Sequence, residues 1–159
     1  MTDQHTTTPD REIRTTRTFH APIERVWEVW TNPDHIALWW GPAGFTNTIE
    51  QMEVKPGGTW RFIMHGPDGR DWPNVIVYEE VVPHERLVYN HGSDDPKDPN
   101  HFRVTVTFEE QSGSTKLSMI MQFDTAAERD KVVEEVGAIE GQKQTMDKLE
   151  EYLSRDQSN

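Results

Sequence analysis

Segments of this chain place apolar residues at every second position, while its last long segment places them at helical spacing. Neither stripe can be left facing water. The period of two is cleanest in Trp60, Phe62 and Met64, in Phe102, Val104, Val106 and Phe108, and in Leu117, Met119, Met121 and Phe123. In a strand, alternate side chains share a face, so these segments predict a sheet with one apolar side that needs a cover. The available cover is Ala126 to Leu153, where Val132, Val133, Val136, Met146, Leu149 and Leu153 recur at helical intervals. At about 1.5 Å per residue this helix would run roughly 40 Å, enough to cross a whole sheet.

Turn chemistry divides the middle of the chain into short strands. Phe45 to Val54 precedes Lys55-Pro56-Gly57-Gly58, Thr59 to His65 precedes Gly66-Pro67-Asp68-Gly69, and Asp71 to Val82 precedes Pro83-His84. Glu85 to His91 meets the turn-rich Gly92 to Asn100, and Phe102 to Glu109 is joined to Lys116 to Phe123 through Ser112-Gly113-Ser114. Such spacing predicts an antiparallel meander. Ahead of it, Glu12 to Phe19 (EIRTTRTF) suits a strand. Pro22 then opens a helix to Thr31, with Ile23, Val26, Trp27 and Trp30 on one face. His35 to Pro42 reads as a turn of helix running into a rigid loop.

At 159 residues the chain matches one domain, expected from about Arg11 to Arg155, with loose polar ends at residues 1–10 and 156–159. With no cysteine there is no disulfide, thiolate nucleophile or zinc knuckle to propose. No signal-like start and no long apolar run are present, so the expectation is a cytoplasmic protein without a membrane span. Twenty-eight acidic residues against sixteen basic ones give a formal charge of −12, which disfavours nucleic acid as a partner.

A strand, a short helix, a meander and a long helix in that order resemble the α+β helix-grip fold of the birch-pollen-allergen, START and polyketide-cyclase proteins. The fold expected is a curved antiparallel sheet of about seven strands with a helical insertion after the first, wrapped around the C-terminal helix. The wording is closer to one branch. Ala21-Pro22-x-x-x-Val26-Trp27, Trp39-Trp40-Gly41-Pro42-x-Gly44-Phe45-Thr46, Pro56-Gly57-Gly58-x-Trp60, Gly66-Pro67-Asp68-Gly69 and Glu80-Val81-Val82-Pro83-x-Glu85-Arg86-Leu87 resemble the family named after the activator of the Hsp90 ATPase. The similarity spans about Glu12 to Leu153. It implies the fold but carries over no catalytic residue. The eukaryotic co-chaperone behind the name has a second, N-terminal domain for which these polar first residues offer no counterpart, so an Hsp90-type chaperone is a disfavoured partner.

In a helix-grip protein the space between sheet and helix is the candidate binding cavity, although the same residues could close on one another as a packed core. The candidate walls are Trp30 and Trp40 from the helical insertion and Phe62, Met64, Trp72, Tyr89, Phe102, Val104, Met119 and Met121 from the sheet. Gly137, Gly141 and Thr145 are the candidates on the long helix. Two glycines inside a helix each cost about 1 kcal/mol relative to alanine. Close helix–sheet approach, room for a ligand or a helix interruption would compensate. His65, Asp71, His91 and His101 lie at strand ends, where a proton-exchanging group at a pocket mouth could sit; His65, Asp71 and His91 are the weak catalytic candidates. No residue spacing suits a metal or cofactor. The Trp39-Trp40 loop could gate the cavity, plug the core or serve a homodimer, with Trp40 expected inside and Trp39 partly exposed. The expected function is uptake of a small hydrophobic molecule. A cyclase or hydrolase using the same cavity and a protein-interaction module are the alternatives.

Overall fold

Glycine- and proline-rich turns leave the chain little choice but to reverse, and each reversal brings neighbouring alternating segments into register. In a computed structural model, residues 12–41, 43–92, 102–123, 125–130 and 138–157 are described. Their strands are β1 (Glu12–Phe19), β2 (Thr46–Met52), β3 (Thr59–His65), β4 (Asp71–Val82), β5 (Arg86–Gly92), β6 (Phe102–Gln111) and β7 (Ser114–Gln122). They form one antiparallel sheet in the order β1-β7-β6-β5-β4-β3-β2. After β1 the chain therefore crosses to the opposite edge before meandering back, and α1 (Ile23–Thr31) and α2 (Pro33–Ile36) make that crossing. The breaks in register between Ile49 and Gln51 and between Tyr78 and Glu80 bend the sheet. This is the expected helix-grip architecture.

The register decides which side chains share the inner face. Tyr89 pairs with Val104, which pairs with Met121, which pairs with Ile13. One step along, Phe102 pairs with His91, His91 with Ile76, and Ile76 with Trp60. The cover is α3 (Ala138–Gln157), which buries Met146, Leu149 and Leu153 and extends past the expected boundary at Arg155. Arg17 on β1 ties it down, donating to Asp147 at 2.7 Å and Glu150 at 3.2 Å. Residues 126–130 are also helical, whereas Val132, Val133, Val136 and Gly137 lie outside the described residues, as do His101 and the first ten residues.

Aromatic packing fixes the crossing helices. Asn32 caps α2 by accepting from the Asp34 backbone N–H at 2.9 Å, and the chain turns back onto α1. Trp39, expected to be partly exposed, is instead fully buried. Its indole N–H donates to the Val29 carbonyl at 3.1 Å and its ring meets Trp30 edge-on at 5.0 Å. The reason is the short α2 turn, which points Trp39 at α1 and Trp40 at β3. Gly58 is demanded by close approach, since a Cβ there would lie 2.1 Å from the Glu53 carbonyl oxygen. No helix among the described residues is long and apolar enough to cross a membrane.

Candidate functional site

The two ends of the inner face are covered differently. Toward α1, Leu87, Val106, Phe108 and Leu117 are all buried, and Trp27 closes that end against Phe108 at 5.2 Å. At the other end, the inward-facing Met64, Asn74, His91 and Phe102 are only half-buried. That half-covered end holds a polar group in an aromatic wall.

His91 is the group. Its ring centroid lies 5.0 Å from Phe102, 6.0 Å from Phe62 and 6.5 Å from Trp40. Its Nε2 is 2.9 Å from Oδ1 of Asn74, one strand away and one step along. Asn74 is itself oriented, because its Nδ2 donates to the Trp72 carbonyl at 2.8 Å. Burial pushes the His91 pKa down from 6.5 to about 4, so the ring is neutral near pH 7. Deeper on the same face, burial raises the pKa of the Tyr78 and Tyr89 hydroxyls, with Tyr78 adding to the effect on Tyr89. Among the described residues, the buried Tyr89 hydroxyl and the buried Trp60 and Trp30 indole nitrogens have no hydrogen-bond partner. Buried polar atoms are ordinarily paired, so the Tyr89 hydroxyl and the Trp60 indole nitrogen on the sheet's inner face are groups that a ligand or water would complete.

Both the helix and the loop after α2 frame this end. Gln142 on α3 donates to Met119 Sδ at 2.6 Å, and Thr145 donates back to the Gly141 carbonyl at 2.9 Å. Gln144 accepts from the Ala43 backbone N–H at 3.1 Å, and Lys148 donates to the Phe45 carbonyl at 3.3 Å. Gly41 bends the loop with φ +95°, and a Cβ there would come within 2.7 Å of Met64 Cε. These contacts hold Trp40 against Trp60 at 5.0 Å.

Several of the expected wall residues are brought together here: Phe62, Met64, Tyr89, Phe102, Val104, Met119 and Met121 share the inner face, and Trp40 packs onto it from the loop after α2. Trp30 lies on α1, packed against Trp39, Trp40 and Phe108, while Gly141 and Thr145 sit on α3 and Gly137 is outside the described residues. Trp72 stands at the rim, 45% exposed, with the Arg70 guanidinium 5.2 Å above its ring. It lies two residues from Asn74 in β4, on the same face by alternation. His65 and Asp71 are on the opposite, solvent face, because Met64 and Trp72 point inward and side chains alternate. There His65 Nδ1 is 2.7 Å from Asp71 Oδ1 and its Nε2 is 2.7 Å from the Thr48 hydroxyl. Of the catalytic candidates, His91 alone faces the interior. Asn74 escaped the sequence reading because the Asp71-Trp72-Pro73-Asn74 run hides the alternation, although counting back by twos from Ile76 reaches it. Among the described residues no cluster of three or more His, Asp or Glu could hold a metal ion.

Comparison with known proteins agrees with the fold. The family model for activator of Hsp90 ATPase homolog 1-like protein matches residues 20–154. A protein from Arthrobacter aurescens solved by solution NMR is similar with a TM-score of 0.85 and 24% identity, over 92% of this chain and 87% of that one. A crystallographic structure from Nitrosomonas europaea is similar at 0.83 and 23%, over 96% and 99% of the two chains. The AHSA1 protein from Silicibacter pomeroyi is similar at 0.74 and 20%, over 91% and 99%. These likenesses establish a shared fold, and no curated protein matches the chain. The match across nearly the whole folded region places this chain in the activator of Hsp90 ATPase homolog 1-like family.

Proposed function

We propose that the protein binds a small, largely hydrophobic molecule between the open end of the sheet's inner face and α3. The observation that carries this reading is the His91–Asn74 pair, a polar couple held within rings of Trp40, Phe62 and Phe102 on a half-covered surface. An interior selected only for packing gains nothing from a neutral imidazole there, since each buried polar group costs desolvation. Acid–base catalysis by His91 is the poorer fit, because a ring with a pKa of about 4 is a weak base near neutrality.

A thermal-shift panel of neutral aromatic compounds tests the proposal. A compound at about a hundred times its Kd stabilises the fold by about 2.7 kcal/mol, giving a measurable rise in Tm. Phe102→Glu, which places a charge at the half-buried rim, removes the rise while circular dichroism remains native. No shift with any compound in the panel contradicts the reading. The family match supports a second reading as a co-chaperone, tested by whether the protein stimulates an Hsp90-type ATPase.

A further inference from the structure

We infer that the ligand is a planar aromatic molecule carrying a neutral hydroxyl, which donates a hydrogen bond to Nδ1 of His91. This inference rests on the binding reading above and names the chemistry that the site selects. The chain of hydrogen bonds supplies the argument. Asn74 Nδ2 is committed to the Trp72 carbonyl, so the atom facing His91 is Oδ1, an acceptor only. His91 Nε2 must therefore carry the ring's proton, which leaves Nδ1 as a lone-pair acceptor. Among the described residues nothing donates to it. A ligand completes the ring's hydrogen bonding by bringing a donor, and the aromatic faces around the imidazole suit a flat ring as its carrier.

The same geometry selects against anions. A carboxylate would meet the lone pair of a neutral ring rather than a cation. Of the cations nearby, Arg17 is paired with Asp147 and Glu150, Lys148 is held on the Phe45 carbonyl, and Arg70 stacks over the Trp72 ring at the rim, so none is directed at the imidazole. Tyr89 adds a buried hydroxyl without a described partner on the strand that carries His91, a second polar group for the same ligand to complete.

The test compares 1-naphthol, 1-methoxynaphthalene, naphthalene and 1-naphthoate by calorimetry at neutral pH. The wild-type protein binds 1-naphthol about tenfold more tightly than the ether or the carboxylate, the effect of one hydrogen bond in a site of this kind. His91→Phe and Asn74→Leu each bring the ratio of 1-naphthol to ether affinity down toward one. Long-range proton–nitrogen correlation spectra of wild-type protein need no variant. They show His91 protonated at Nε2, with the Nδ1 resonance moving when 1-naphthol is added and staying fixed with the ether. Naphthalene and the ether binding as tightly as 1-naphthol overturns this inference and leaves the binding site standing. Failure of all four compounds to bind overturns the inference together with the reading beneath it.

Discussion

Replacing His91 by glutamine separates its half-buried imidazole from every other titrating group, and the pKa sets the size of the effect. In the unfolded chain the ring takes a proton near pH 6.5, whereas in the folded protein it does so only near pH 4. Its folded pKa is lowered, so the unfolded state binds the proton first as the pH falls. Stability is thus undiminished above about pH 6.5, declines between 6.5 and 4, and levels off below. At about 1.4 kcal/mol for each tenfold difference in proton affinity, the ring removes about 2 kcal/mol of stability between pH 7 and pH 5. Urea unfolding followed by tryptophan fluorescence at both pH values measures the loss. His91→Gln loses about 2 kcal/mol less than wild type over that interval, whatever its stability at pH 7. Equal losses in the two proteins would refute the claim that His91 is held neutral in an apolar wall.

Further substitutions test the scaffold that positions the site. Leu149→Ala empties a fully buried position on α3 and should cost about 2–5 kcal/mol by urea midpoint; a cost below about 1 kcal/mol would mean that α3 is not packed on the sheet. Thr115→Val keeps the shape of a fully buried residue but removes its 2.8 Å bond to the Ala21 carbonyl, for an expected loss of about 1–2 kcal/mol in the same assay. Gly41→Ala forces a side chain onto a φ of +95° and against Met64, costing about 1–3 kcal/mol in thermal unfolding. A neutral outcome there would show that the Trp40 loop is free to rearrange.

The fold was readable because its signals are local and repeated. Thr59–His65 and Asp71–Val82 end where their turn residues stand, and the alternation in β6 and β7 identifies the inner face. The site was less readable because pairing across strands is a tertiary property. His65, Asp71 and His91 look alike as strand-end polar residues, and only the register places His91 inward and the other two on the solvent face. Trp39 and Trp40 are adjacent in sequence, yet the turn after α2 buries both against different partners. The partnership of His91 with Asn74 depends on the β4–β5 register, which no pattern within either strand specifies.

Methyl spectra of the methionines test the central claim most directly, since Met64, Met119 and Met121 lie on the inner face that the ligand is proposed to meet. On titration with 1-naphthol, these three methyl resonances are expected to shift saturably. No shift of any of the three at concentrations where the compound is soluble would contradict a ligand site between the sheet and α3.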